Sequence, residues 1–137
     1  MKFRFTLCTS LIAATALVAA CGGDSKSSEE SEERSATPAE AVERIGNVET
    51  ALDDALAKYQ SGDKKSADRV VGDAYLEQFE HVEGPLEKVD HELNEELEDG
   101  IREELRGKIK AGAPAAEVEA LVSELKTKLN KAEAALQ

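Results

Sequence analysis

Between Tyr75 and Leu93 the chain reads YLEQFEHVEGPLEKVDHEL, with carboxylates at Glu77, Glu80, Glu83, Glu87, Asp90 and Glu92 and imidazoles at His81 and His91. Carboxylate oxygens are the ligands that hard cations such as iron, calcium and manganese prefer, and imidazole shifts that preference toward transition metals. On a continuous helix at 100° per residue, Glu80, Glu83 and Glu87 fall within about 60° of one another. That places three acids on one flank of the apolar stripe Tyr75, Phe79, Val82 and Leu86. The alternative is the wet side of a helix in an acidic protein. Glu-x-x-Glu recurs seven times in the chain, at 29/32, 30/33, 40/43, 77/80, 80/83, 92/95 and 95/98, so the spacing alone does not select a site. Neither histidine lies in the Glu-x-x-His spacing of di-iron bundles, and both read as surface residues. Tyr59 and Tyr75 fall on apolar stripes and read as core residues with hydroxyls at the rim.

Other chemistry is not signalled. The chain has no glycine-rich phosphate loop, no nucleophile elbow and no His-Glu-x-x-His, so an enzyme is not expected. Both cysteines lie near the N-terminus. Lys2 and Arg4 precede an apolar run, Leu7 to Ala20, which ends in Val18-Ala19-Ala20-Cys21-Gly22. This has the basic, apolar and small-residue regions of a secretory signal, residues 1–20, and is too short and Ala/Thr-rich for a membrane span. Its end resembles a bacterial lipobox, which implies cleavage before Cys21, a diacylglycerol thioether on its sulfur and an acylated N-terminus. With Cys8 lost and Cys21 lipidated, no thiol remains for a disulfide, a zinc site or a nucleophile. The expected address is the extracytoplasmic cell envelope, with the protein lipid-anchored to a membrane.

All 29 acids follow residue 20, against 15 of the 17 bases, so the chain from Cys21 onward carries −14. Nucleic acid and anionic lipid surfaces are poor partners for that charge, being negative too, and a cation or a basic protein face is its natural complement. After Cys21, residues 22–37 (GGDSKSSEESEERSAT) hold no large apolar side chain and read as a disordered linker, with a root-mean-square reach of about 20–25 Å.

Residues 38–137 must then supply the elements that position the acids. Thr37-Pro38 with Glu40 marks a helix start, and Val42, Ile45, Val48, Leu52, Leu56 and Tyr59 recur at helical spacing as far as Ser61-Gly62. A second helix from about Asp63 carries Ala67, Val70, Val71, Ala74, Tyr75, Phe79 and Val82, and Gly84-Pro85 is expected to break or kink it. A third stripe runs Leu86, Val89, Leu93, Leu97, Ile101, Leu105, Ile109, and a fourth Val118, Leu121, Leu125, Leu129, Ala132, Leu136. The expected fold is all-α, an antiparallel up-down four-helix bundle, with a coiled-coil hairpin pairing with a second copy as the alternative. Asp54/Lys58, Glu98/Arg102, Glu104/Lys108 and Glu124/Lys128 are expected as i, i+4 ion pairs.

The segment Ala74-Tyr75-x-x-x-Phe79-Glu80-x-x-Glu83-x-x-Leu86, followed by Asp90 and a further amphipathic helix, resembles the extracytoplasmic helical domain of bacterial members of the high-affinity iron permease family. Tyr59-x-x-Gly62-Asp63 is similar to that domain's turn between its first two helices. The resemblance spans roughly residues 40–137. It implies iron as cargo, Glu80 and Glu83 with Asp90 as matching acids (Glu87 is added by the helical wheel), and a permease or other iron-uptake protein as partner. The permease's membrane helices and Arg-Glu-x-x-Glu motifs are missing, so transport itself is not implied. The competing expectation is a structural or interaction lipoprotein that docks a basic protein through its acidic face.

Overall fold

The computed structural model of the protein describes residues 36–137, and the readings made on residues 1–35, including lipidation at Cys21, lie outside them. Six α-helices follow in order: α1 (Pro38–Gln60), α2 (Lys64–Ala74), α3 (Glu80–Glu87), α4 (His91–Asp99), α5 (Arg106–Ala111) and α6 (Ala115–Leu136). Single π-helical turns, Tyr75–Phe79 and Gly100–Leu105, join α2 to α3 and α4 to α5, so the chain forms four continuous helical rods. No strand occurs among the described residues, which all belong to one unit, Ser31–Gln137.

Each rod begins and ends where local chemistry dictates. At the start of α1, Glu40 N–H donates to Thr37 Oγ1 at 3.3 Å while Thr37 N–H donates to Glu40 Oε2 at 2.8 Å. This reciprocal capping box, with Pro38 in the first turn, satisfies donors the helix itself cannot. Gly62, at φ +92°, turns the chain into α2, where Asp63 accepts from Ser66 N–H at 3.0 Å. That backbone bond holds the Asp63 carboxyl below its ordinary pKa. Gly112, at φ +73°, ends α5, and Ala113 N–H closes back on the Lys108 carbonyl at 3.0 Å.

The four apolar stripes meet in one core. α1 packs on α2 and α6, α2 on α5, and α4 on both α3 and α6. Ile45, Leu52, Phe79, Leu86, Leu97, Ile101, Leu125 and Leu129 are fully buried, and burial of each such side chain contributes about 1.5–3 kcal/mol. Polar pairs fix the neighbours at the rim: Arg106 Nε to Asp68 Oδ1 at 2.8 Å, Lys126 Nζ to Asp53 Oδ2 at 2.6 Å, and Lys128 Nζ to Glu96 at 3.3 Å.

Three expectations are corrected. The second rod does not break at Gly84-Pro85, for α3 runs through Pro85 to Glu87 and the turn comes at Lys88–Asp90. Only two residues of α3 follow the proline, and the carbonyl that it deprives of a donor belongs to exposed His81. Val89 is not a core residue but stands 55% exposed in that turn, whereas Leu86 is fully buried on α3. Lys108 reaches Glu117 at 3.5 Å rather than Glu104, while Asp54/Lys58, Glu98/Arg102 and Glu124/Lys128 pair as expected.

Two glycines of the third rod face opposite environments. A Cβ at Gly100 would stand 2.5 Å from Leu125 Cδ2, which is itself buried, whereas a Cβ at Gly107 meets nothing within 4 Å. Urea unfolding should therefore show G100A destabilised by about 1–3 kcal/mol through overpacking. G107A should be stabilised by about 0.5–1 kcal/mol through helix propensity.

Candidate functional site

Tyr75 opens the first π turn with its ring in the core and its hydroxyl at the edge. The hydroxyl donates to Glu83 Oε1 at 2.9 Å and lies 3.4 Å from Glu98 Oε1, joining carboxylates on α3 and α4. Arg102, from the second π turn, donates to the same Glu98 oxygen at 2.7 Å, and its guanidinium carbon lies 5.8 Å from the Tyr75 ring centroid. Both π turns therefore contribute a side chain to one cluster, an arrangement often found where helices carry function.

Charges in the cluster are unevenly balanced. Glu98 is neutralised by Arg102, while Glu83 is half-buried and has only the Tyr75 hydroxyl as a hydrogen-bond donor. Burial, and then the negative charges of Glu98 and Glu80, push the Glu83 carboxyl above its ordinary pKa, although the Tyr75 hydrogen bond opposes this. The Tyr75 hydroxyl is pushed up to about 12, chiefly by burial.

The four acids singled out in the sequence part company. Glu80 stands exposed in the first turn of α3, one turn before Glu83. Glu87 is engaged with α4, with its Oε1 2.8 Å from His91 Nδ1 and its Oε2 accepting from Asn94 Nδ2 at 3.3 Å. Asp90 caps α4 by accepting from Leu93 N–H at 3.0 Å. Glu80 and Glu87 are also about 10 Å apart along the helix axis. Among the described residues no three His, Cys, Asp or Glu side chains are grouped to hold a metal ion. His91 is exposed, and its raised pKa comes first from the hydrogen bond to Glu87, so it serves as a surface partner of that acid.

Spacing arguments missed Tyr75, Glu98 and Arg102 as a unit, because only the fold brings α3 and α4 together. They also missed a broader pattern that a running charge sum would have shown. From Asp73 to Glu104 the chain carries thirteen acids and two bases, Lys88 and Arg102, while the other described residues hold eleven of each sign. The net charge of the described residues thus lies wholly in their middle third. Part of that segment forms one wall of an open groove of about 640 Å³ facing α6, with Glu96, Asp99, Glu103 and Glu104 along it and Gly100, Leu121 and Leu125 as apolar lining. Lys128 reaches across the groove to Glu96 at 3.3 Å and pairs with Glu124 on its own helix at 3.1 Å. No helix of the described residues is long and apolar enough to cross a membrane.

Because Glu83 binds its proton more tightly when folded, the folded state holds more protons than the unfolded chain above the ordinary carboxyl value of 4.5. Stability is thus expected to fall as pH rises from there through the raised value. E83Q removes this contribution, so its stability relative to wild type should increase between pH 4 and pH 7 in chemical denaturation. No protein-family model, curated protein or solved structure matches the chain.

Proposed function

We propose that this protein is an antiparallel, up-down four-helix bundle, lipid-anchored through Cys21 at the extracytoplasmic face of a membrane, that serves as an accessory of iron uptake. It binds iron weakly through Glu80 and Glu83 and passes it to a permease. The observation that carries this reading is the Glu83 carboxylate, held half-buried beside Glu98 and one turn from Glu80, with no cation of its own. A bound cation would relieve the same repulsion that now favours a proton there, so affinity should rise with pH. Glu87 and Asp90 serve as outer acids that keep the local potential negative while engaged with α4. The likeness of residues 74–90 to the outer domain of the iron permease family supports iron as the cargo.

A second reading, an acidic helical lipoprotein that docks a basic protein, is favoured by the groove facing α6. There Lys128 already occupies a position between two carboxylates that an incoming cationic side chain would take.

Calorimetric titration of residues 22–137 with Fe(II), Mn(II) and Ca(II), anaerobically at about 0.15 M salt, separates the two. The first reading expects a saturable iron-selective site that E80A/E83A weakens at least about tenfold and E92A/E95A does not. Equal, unselective losses in both variants would leave only diffuse attraction and favour the protein partner. Metabolic labelling with an alkyne fatty acid is expected to tag the wild-type chain and not C21S.

A further inference from the structure

The turn between α3 and α4 carries an apolar hollow that no element of the described chain covers. About 190 Å³ in volume, it is lined by Ala36, Pro38, Pro85, Val89 and the C-terminal Ala135 and Leu136, with Lys88 the only charged side chain among the described residues that line it. We propose that this hollow seats the protein on the lipid surface to which it is tethered, with Val89 entering the headgroup boundary and the Lys88 ammonium meeting lipid phosphate. The proposal rests on the anchor at Cys21 described above.

Position is the first argument. Ala36, where the described residues begin, lines the hollow itself, so the anchoring segment arrives at its rim. Fourteen residues separate Cys21 from Ala36, and a chain of that length spans at most about 50 Å. The far end of α1, 23 residues long, is about 35 Å further on. Of the two ends of α1, the one beside the hollow stays within easy reach of the bilayer.

Size is the second. The one strongly exposed apolar side chain here is Val89, and a single valine falls far short of the roughly 1,000 Å² that a stable protein interface buries. Such a patch is too small to recruit a partner from free solution. A surface held on a short tether is different, because its effective concentration reaches about the millimolar range and a shallow contact suffices.

Charge is the third. The acids flanking Lys88 and Val89 are already engaged: Glu87 with His91 and Asn94, and Asp90 with the first turn of α4. Lys88 is the base of this exposed turn, set between the acids Glu87 and Asp90 and beside an apolar residue, a pairing that suits a zwitterionic lipid boundary. Seated this way, Glu83 lies about 9 Å along the helix from the lipid contact, so the carboxylates stand close to the membrane surface.

The test uses the chain from Cys21 onward, which contains every described residue and a single thiol, coupled through that thiol to a maleimide-headgroup lipid in phosphatidylcholine vesicles. The sequence contains no tryptophan, so V89W introduces one reporter at the hollow and L76W another at a site 57% exposed on the acid-rich segment. On coupling, V89W emission should shift to the blue and be quenched by brominated lipid, while L76W keeps its uncoupled spectrum. Because indole has its own affinity for lipid, the wild-type chain is followed by hydrogen exchange, where amides of residues 86–90 should slow on coupling. An unchanged V89W spectrum, an equal response in L76W, or wild-type amides that do not slow would each overturn the proposal. Attachment here is chemical, so failure of docking is distinct from failure of the anchor, which the fatty-acid labelling of C21S reads separately.

Discussion

Like charges packed into one third of the domain must be held together by something other than charge. Thirteen acids between Asp73 and Glu104 repel one another across α3 and α4, and an aliphatic seam opposes them. Val82, Leu86, Leu93, Leu97, Ile101 and Leu105 are buried along these two rods and in the shared core. The seam is non-directional and insensitive to salt, so it can hold the acids close without neutralising them. A domain stitched mainly by ion pairs could not present such a surface, because the pairing would cancel it.

Tyr75 acts where the seam meets the acids. Its ring belongs to the apolar side, 6.1 Å from the Phe79 ring centroid, while its hydroxyl belongs to the polar side. One side chain therefore fixes the depth at which Glu83 sits, and depth decides how strongly that carboxylate resists being charged. Glu80, one turn away on the same helix, is exposed.

Helix number and most core residues were legible in the sequence because a 3.6-residue period survives wherever one face is buried. Where the reading failed, an element departed from an ideal α-helix. Gly84-Pro85 looked like a break because proline removes a hydrogen bond, yet two residues from a helix end the loss falls on an exposed turn. Val89 fitted the third stripe only on the assumption that the helix began before Asp90. The carboxylate set Glu80, Glu83, Glu87 and Asp90 shares a stretch of sequence, but Glu87 and Asp90 are drawn to α4, a tertiary fact that no helical wheel contains. Charge segregation was plain in the residue order all along, and was hidden by attention to pairs rather than to running sums.

The two π turns have a consequence for how the chain tolerates a change in length. A π turn is an α-helix that holds one residue too many, and here each lies between α-helical stretches whose buried faces remain on the core. Tyr75–Phe79 and Gly100–Leu105 are therefore places where the chain accommodates an extra residue without re-registering what flanks it. A deletion of one residue at either position, leaving an unbroken α-helix through it, would keep the same core while losing the local geometry that presents Tyr75 or Arg102.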